Sequence, residues 1–403
     1  MHSFLWKNSI RTKLVIAGIA FFACVFALCA CSAQPVDAES QDGIEGSGAS
    51  PDVKPHIAVE IEGDNISRVM SSMTLREKIG QLFIIRPESL GGSAKKLTDS
   101  GRSLYEQYPA GGFCLFAQNI SDPEQLKEFS DQLHSLGSRI HPILTIDEEG
   151  GSVTRIASNW KFDVPHYRDM GKTEATAEES AQQIASYLKE YGIDLDFAPV
   201  ADVNTNPKNP VIGTRAYSSD PEEAAACVAD AVKGFHEGGV GCCLKHWPGH
   251  GDTKTDTHKG SSSTAKTWED MLACEVLPFV SGIGAGADMV MVSHISAPEV
   301  TGTSEPASLS YILMTEKLRE ELGFEGVIIT DAMEMKAISG VFSSGEAAVK
   351  ALLAGADIVL MPEDYKEAFD AVLAAVESGE ISQERLEESL RRILRLKADL
   401  AGM

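Results

Sequence analysis

The amino-acid sequence predicts an α/β protein, and within that class a single domain built as a (β/α)8 TIM-type barrel. Eight short apolar segments recur along the chain, helical patterns separate them, and polar residues directly follow several of them. Strands buried on both faces are almost continuously apolar, so these segments are typical of a parallel sheet covered by helices. Eight such units favour a closed barrel, and an open, doubly wound sheet is the alternative.

Residues 1–30 are predicted to be a lipoprotein signal peptide that is not part of the fold. A basic start precedes an apolar run at 14–28, which is short for a bilayer-spanning helix and typical of a secretory signal. The run ends in LCACS at 28–32, which resembles a bacterial lipobox with Cys31 as the lipidated residue. Cys29 departs from that pattern, and a retained anchor helix is the alternative. Either case predicts an extracytoplasmic chain anchored to the cell membrane.

Residues 31–55 are predicted to be a disordered tether, because they are rich in Ser, Gly, Asp, Glu and Pro and lack apolar periodicity. Residues 56–403 are sufficient for one large barrel domain. The formal net charge of −24 argues against a nucleic-acid partner and against attraction to anionic lipids. Membrane attachment would therefore depend on the lipid at Cys31.

The barrel elements follow one another in a regular order. Glycines at the helix ends let the chain turn back into the next strand. The predicted strands are 80–85, 111–116, 142–146, 194–203, 240–245, 288–292, 326–330 and 357–361. The predicted helices include 74–79, 103–108, 123–136, 175–191, 221–236, 267–281, 315–322 and 382–400.

Five cysteines fall within residues 56–403, and we interpret them as mostly buried thiols. Their number is odd, and the adjacent pair at 242 and 243 cannot easily bridge within one strand. A disulfide outside the cell remains open. The five are Cys114, Cys227, Cys242, Cys243 and Cys274.

Polar residues stand where several predicted strands end. Functional groups of such barrels cluster at the carboxyl ends of the strands, so these residues are expected to line one pocket. For Asp202 and Asn204 a helix cap or a solvated loop is the alternative. The strand-end residues are Asp147, Asp202, Asn204, Lys245, His246, Ser293, His294, Thr330 and Asp331.

The segment 240–260 is predicted to carry a general acid/base on a loop. A proline and two glycines follow the strand and exclude a helix. Asp256 precedes His258 by two residues and can orient and charge its imidazole, which makes the pair an acid/base dyad. Two alternatives remain: a zinc site from His246, His250 and His258, or histidines that only cap backbone groups. The Pro-Gly interruption and the lack of a nearby Cys or Glu at ligand spacing disfavour the metal.

Asp331 is the candidate nucleophile. It directly follows the buried strand predicted at 326–330, so its side chain has little rotational freedom and is expected to face the barrel mouth.

Two segments carry a family resemblance: KHWPGHGDTKTDTH at 245–258 and GVIITDAMEM at 326–335. They resemble the signatures of family 3 glycoside hydrolases, in the β-N-acetylglucosaminidase (β-N-acetylhexosaminidase) branch, and the resemblance extends over residues 73–395. It implies that Asp331 is the nucleophile, that His258 is the acid/base and that Asp256 is its partner.

The same resemblance implies four sugar-binding residues: Asp147 of DEEGG, Arg215 of IGTR, Lys245 and His246. For Arg215 and Lys245 a surface salt bridge is the alternative. The chain departs from many relatives at three positions, which are Glu148 in place of Gln, Trp247 in place of Phe and Ala332 in place of a second Asp. None of the three is expected to touch the chemistry directly, although Trp247 is expected to affect the pocket floor.

The implied activity is that of a retaining, exo-acting β-N-acetylglucosaminidase that needs no cofactor or metal and acts on cell-wall fragments or related oligosaccharides. A histidine in place of a second carboxylate would ease attack by phosphate, so phosphorolysis is an alternative. A family 3 β-glucosidase is another, but those enzymes usually take their acid/base from a further domain. A solute-binding lipoprotein is the non-enzymatic alternative, and eight evenly spaced units argue against its two-lobed fold.

Overall fold

The computed structural model describes residues 63–137, 140–253, 260 and 262–403. The chain divides into two units, Met1–Lys54 and Pro55–Met403, and every described residue belongs to the second. The predicted signal peptide, Cys31 and the 31–55 tether lie outside the described residues. None of the described helices is both long and apolar enough to cross a membrane.

Eight parallel strands form the centre of the fold, and every residue in them is buried. The described strands are β1 Phe83–Ile85, β2 Gly112–Leu115, β3 Ile143–Ile146, β4 Leu195–Asp196, β5 Gly241–Trp247, β6 Ser262–Ser263, β7 Met289–Val292, β8 Ile295–Ser296, β9 Val327–Thr330 and β10 Val359–Leu360, of which β6 and β8 form a separate pair. The other eight pair in the order β10-β1-β2-β3-β4-β5-β7-β9, and a parallel bridge between Ile329 and Ile358 joins the two ends. The predicted (β/α)8 barrel is therefore confirmed.

Helices surround the barrel and begin where their capping residues predict. At Thr176, for example, the hydroxyl accepts the backbone N–H of Glu179 and the Glu179 side chain reaches back, and Pro221 occupies a first turn where its missing N–H costs nothing. The helices are α1 Gly63–Ser72, α2 Leu75–Gln81, α3 Asp99–Gln107, α4 Pro123–His134, α5 Ala177–Glu190, α6 Pro221–Gly238, α7 Trp268–Leu272, α8 Leu277–Gly284, α9 Pro298–Thr301, the π-type α10 Ile312–Glu321, α11 Lys336–Ser339, α12 Ser344–Ala354, α13 Tyr365–Ser378 and α14 Gln383–Gly402.

Three differences from the sequence prediction have an identifiable physical cause. Gly80 was predicted to begin the first strand, but it lies in α2, and a Cβ there would come within 2.3 Å of the Pro109 carbonyl oxygen. The fourth strand was predicted over 194–203, but it pairs regularly only at Leu195–Asp196 and then through a bridge at Val200, since Pro199 has no N–H to donate. The helix predicted at 267–281 is divided into α7 and α8, with Pro278 in the first turn of the second.

The five cysteines of the barrel are all free thiols. Cys114, Cys242 and Cys243 are buried, whereas Cys227 and Cys274 are partly exposed. The interpretation as mostly buried thiols is confirmed for these residues.

Candidate active site

Charged residues meet at the carboxyl ends of β3, β4 and β5. Asp147 and Glu149 follow β3, Asp202 follows β4, and Lys245 and His246 are near the end of β5. All except Asp147 are buried, and Asp147 is partly exposed. The strands thus bring these residues to one edge of the barrel, where hydrogen bonds and ion pairs join them.

Lys245 is at the centre of this network. Its Nζ lies 2.6 Å from Asp147 Oδ1 and also pairs with Glu149 Oε1, and the residue is only 1% exposed. Burial would lower the pKa of Lys245, but the two carboxylates outweigh that effect and raise it above its ordinary value. Lys245 is therefore a permanently charged hydrogen-bond donor and not a base.

Arg215 is fixed by Glu149. Its Nε and Nη2 donate to the two Glu149 carboxylate oxygens at 2.7 and 2.8 Å. Burial would raise the pKa of Glu149, but the charges of Arg215 and Lys245 hold it well below its usual range. The surface salt bridge considered for Arg215 and Lys245 is wrong, because both side chains are buried.

The hydrogen bonds of His246 determine its tautomer. Arg215 Nη2, which can only donate, lies 3.2 Å from His246 Nε2, so that nitrogen accepts. The ring proton is then on Nδ1, which donates to Asp202 Oδ2 at 2.7 Å. Burial would raise the pKa of Asp202, and its contacts with His246 and His250 lower it below the ordinary value. Asp202 is therefore neither a helix cap nor solvated, and it positions His246.

Arg155 belongs to the site although the sequence analysis did not identify it. Its Nη2 lies 3.4 Å from Asp147 Oδ2, and its guanidinium lies over the Phe116 ring at 5.2 Å from the centroid. Asp147 therefore lies between two cations, Lys245 and Arg155. A signal was available in the sequence, since Arg155 follows Asp147 by only eight residues on the same loop.

Glu148 organises that loop from beneath. Its fully buried carboxylate accepts the backbone N–H groups of Arg155, Ile156 and Ala157, the last two at 2.9 and 2.8 Å, and the Tyr187 hydroxyl at 2.9 Å. These four donors suit a carboxylate, which accepts at both oxygens. Glu148 thus acts through the loop that carries Arg155, consistent with the expectation that it does not touch the chemistry directly.

Asp331 directly follows β9 and is partly exposed. Its backbone N–H donates to Val292 O at 2.8 Å, and its Oδ1 accepts the Ala332 N–H at 2.7 Å. The buried His294 donates from Nε2 to Ala332 O at 2.9 Å and so fixes the peptide that follows the carboxylate.

Other polar strand-end residues have structural roles. The Ser293 hydroxyl donates to Trp247 O at 2.9 Å, and Thr330 Oγ1 accepts the Leu360 N–H at 3.0 Å. Trp247 does not form a pocket floor: it donates to Leu313 O at 3.0 Å and packs edge-on against Phe279 of α8.

Asp256 and His258 lie outside the described residues, but the two ends of their loop are described. Asp252 Oδ2 accepts the Thr264 hydroxyl at 2.8 Å and ties the two ends together. The amides of Asn206 and Asn209 hold the first end by donating to Thr253 O and His250 O at 2.9 and 2.8 Å. These contacts fix both ends of the loop beside β5.

The zinc alternative is disfavoured by the partners of its histidines. Both ring nitrogens of His246 are occupied, by Asp202 and by Arg215, and His250 Nδ1 lies 2.7 Å from the Thr253 hydroxyl. Burial lowers the pKa of His250. A metal at His246 would have to displace Asp202 or Arg215.

The site combines charged donors and acceptors. Asp147 and Glu149 pair with Lys245, Arg215 and Arg155, and Asp202 accepts from His246. Such a site suits a ligand rich in hydroxyl groups, which can use both donors and acceptors. The fold and the site together define a (β/α)8 barrel domain with a cluster of buried charged residues at the carboxyl ends of its strands.

Residues 74–396 match the family model described as "Glycosyl hydrolase family 3 N terminal domain". The chain belongs to this family, as its motifs predicted.

Two relatives and one solved structure illustrate the similarity. Beta-hexosaminidase A of Pseudoalteromonas piscicida is 33% identical over 368 residues, covering 81% of this chain and 62% of the relative. Beta-hexosaminidase of Stenotrophomonas maltophilia (strain K279a) is 34% identical over 293 residues, covering 70% of this chain and 86% of the relative. A family 3 beta-N-acetylglucosaminidase structure from Paenibacillus sp. str. FPU-7 has a TM-score of 0.77 and 39% identity, covering 82% of this chain and 63% of that one. The chain thus spans less than two thirds of the length of the first and the third.

Proposed function

We propose that this chain is a retaining, exo-acting β-N-acetylglucosaminidase that removes terminal β-linked N-acetylglucosamine from oligosaccharides. The preference for the acetamido sugar is supported by the names of the relatives, which are beta-hexosaminidases and a beta-N-acetylglucosaminidase. The barrel alone would suit many reactions, so the proposal depends on the arrangement of the site residues.

One observation supports exo-action most directly: Asp147 and Asp331 follow strands on opposite sides of the barrel. β3 and β9 are separated by four positions in the ring of eight strands, whichever way one counts. C1 and C4 of a pyranose also lie on opposite sides of the sugar ring. A sugar with C1 at Asp331 therefore presents its distal hydroxyls to Asp147, Arg155 and Lys245. The ion pairs there hold the three side chains together at the end of the sugar that is distal to Asp331.

The chemistry would proceed in two displacements at the anomeric carbon. In the first, an Asp331 carboxylate oxygen bonds to C1 while the glycosidic C1–O bond breaks, and His258 gives its proton to the departing oxygen. In the second, His258 takes a proton from water, the water oxygen bonds to C1, and the bond to Asp331 breaks. Asp256 would orient and charge the imidazole in both steps.

Lys245 and Arg215 would bind hydroxyl groups of the same sugar, and His246 would position Arg215, because both of its ring nitrogens are already hydrogen-bonded. Lys245 has three N–H donors, of which Asp147 and Glu149 use two, so one remains for the substrate. Because Glu149 and Asp202 already hold Arg215 and His246 in place, little side-chain entropy is lost on binding.

Initial rates on matched chromogenic β-glycosides test the proposal and its alternatives. We expect the β-N-acetylglucosaminide to be hydrolysed much faster than the β-glucoside, with free N-acetylglucosamine as product whether or not phosphate is present. A faster β-glucoside would favour the β-glucosidase alternative, and a sugar phosphate formed in phosphate buffer would favour phosphorolysis. No turnover, with tight binding of a sugar, would favour the solute-binding alternative.

We further propose that the enzyme is a lipoprotein anchored outside the cytoplasm, with cell-wall fragments among its substrates. The support is the lipobox-like LCACS at 28–32 and the polar 31–55 tether. Metabolic labelling with a lipid precursor should mark the full-length chain, and Cys31→Ala should abolish the label whereas Cys29→Ala should not. A label that persists in Cys31→Ala would contradict the assignment.

A further inference from the structure

A recurring aspartate clamp ties neighbouring strands together at the amino ends of the barrel, the face opposite the candidate active site. The first clamp precedes β4. Asp194 Oδ2 accepts the Leu144 N–H of β3 at 2.7 Å and lies 2.8 Å from Nε2 of His134, the last residue of α4. One carboxylate oxygen thus connects two strands and a helix.

The same arrangement recurs before β10. Asp357 Oδ2 accepts the Ile328 N–H of β9 at 3.0 Å and a hydrogen bond from Arg319 Nη2 of α10 at 2.8 Å. In these two clamps the residue whose backbone N–H donates to the aspartate is apolar, Leu144 in the first and Ile328 in the second. The pairing of the aspartate with a basic helix residue is therefore structural and does not by itself indicate a ligand.

The clamp before β7 has a thiol instead of an apolar side chain. Asp288 Oδ2 accepts the Cys242 N–H of β5 at 2.9 Å and lies 2.8 Å from His236 Nε2 of α6. Cys242 Sγ is also near the pair, at 3.9 Å from His236 Nε2. One potential donor atom from each of the three residues lies within 4.8 Å of the others. This clamp alone among the three thus combines nitrogen, sulfur and oxygen donors.

We propose that His236, Cys242 and Asp288 form a binding site for a thiophilic divalent cation of the zinc class. Imidazole, thiolate and carboxylate are the donors that zinc takes in proteins, and three protein ligands leave a fourth position for water. The side chains of His236 and Asp288 are 28% and 11% exposed, which gives solvent access to the cluster beside the buried Cys242.

The observed separations are close to those that a metal would require. Zinc bonds of about 2.0 Å to nitrogen and oxygen and about 2.3 Å to sulfur, at tetrahedral angles, put N and O about 3.3 Å apart and N and S about 3.5 Å apart. The structure has 2.8 Å between His236 Nε2 and Asp288 Oδ2, and 3.9 Å between Nε2 and Cys242 Sγ. Shifts of about half an ångström would bring these two separations to the values that a metal requires.

Binding requires one proton to leave the site. The Cys242 thiol releases its proton to solvent as the sulfur bonds to the metal, and His236 must present a lone pair at Nε2, with its ring proton on Nδ1. The site lies at the other end of β5 from Lys245, three residues or about 10 Å along the strand. The cation would therefore stabilise the base of the barrel without entering the catalytic pocket.

Cobalt titration of the full chain tests the site, because a thiolate bound to Co²⁺ absorbs strongly in the near ultraviolet. We expect a charge-transfer band that saturates at about one equivalent, together with a higher melting temperature in Zn²⁺. Cys242→Ala and, independently, His236→Gln should lose both effects. Cys227→Ala should keep both effects, because it removes a partly exposed thiol that lies elsewhere on α6, the helix that carries His236.

Cys242→Val gives a second variant with an apolar residue, as in the other two clamps, in case the alanine variant does not fold. Glycosidase turnover provides an independent readout and is expected to be unchanged in these variants. No cobalt band in the wild type, or a band of equal strength in Cys242→Ala or Cys242→Val, would overturn the assignment. Neither result would bear on the proposed glycosidase activity.

Discussion

Substitution of Lys245 by methionine tests the described part of the site. Methionine retains the length of the side chain and removes the ammonium group. One N–H donor of Lys245 remains for the substrate after Asp147 and Glu149 take the other two. Loss of one hydrogen bond to a charged group costs about 1.5–3 kcal/mol, so kcat/KM should fall by roughly 10- to 150-fold.

Lys245→Met should also destabilise the fold, and the contacts that its two carboxylate partners keep with Arg215 and Arg155 should limit the loss. Removing one partner of a buried ion pair costs about 3–5 kcal/mol. The low end applies here, because Glu149 keeps both hydrogen bonds from Arg215 and Asp147 keeps Arg155. We therefore expect a loss of about 3 kcal/mol in the free energy of unfolding, measured in urea.

Lys397→Met is the matched control, because Lys397 is also buried but lies far from the site. Its Nζ donates to Gly111 O at 2.7 Å and to His141 O at 2.9 Å, both of which precede strands. Lys397→Met should lower the free energy of unfolding and keep kcat/KM. Lys245→Met should lower both, and its loss in kcat/KM should be the same for good and poor leaving groups. A loss of less than about twofold for Lys245→Met, or one that depends on the leaving group, would refute this role for Lys245.

Three further predictions concern the acid/base, the Asp147 loop and the buried lysine. His258→Ala should slow poor leaving groups far more than an activated phenol, with partial rescue by azide, and Asp256→Ala should do the same more weakly; equal losses on both substrates without rescue would return His258 to a capping role. Glu148→Gln should lower the free energy of unfolding by about 1–3 kcal/mol, because the amide NH2 would replace a carboxylate oxygen that now accepts a hydrogen bond and would face that donor. An unchanged urea midpoint would contradict this. Burial lowers the pKa of Lys397 to about 7, so between about pH 7 and pH 10 the unfolded chain binds more protons than the folded one. The free energy of unfolding of the wild type, relative to that of Lys397→Met, should therefore rise with pH over this range. Urea midpoints that change with pH in the same way in both proteins would disprove it.

Much of the barrel could be predicted because its signals are local. The buried strands are continuous apolar runs, and the polar residues after them meet at one face whatever the details of packing. Gly80 shows where this reasoning fails. A glycine is required at this position because it packs against Pro109, 29 positions later in the chain, and not because a turn precedes a strand. The prediction mistook a packing requirement for a boundary.

The ion-pair network could not be predicted, because its pairs are distant in the chain. Asp147 and Lys245 are separated by 98 positions, and Glu149 and Arg215 by 66. Sequence motifs identified the residue types but not which carboxylate holds which cation, so Glu149 and Arg155 were missed. The proposed cation site was missed for the same reason, since Cys242 and Asp288 are 46 positions apart. The zinc alternative drew all its ligands from the single segment 240–260.

In the proposed mechanism Asp331 forms a covalent ester with the sugar, and trapping this ester tests the mechanism most directly. A ring-fluorinated N-acetylglucosaminyl fluoride would be used, because its leaving group needs no acid and its ring fluorine slows hydrolysis of the glycosyl-enzyme. Mass spectrometry of a peptic digest should find the added sugar on the peptide that contains Asp331. Asp331→Ala should show no adduct and less than about a hundredth of the wild-type turnover. A sugar adduct on another carboxylate, or a product released with inverted anomeric configuration, would contradict the claim.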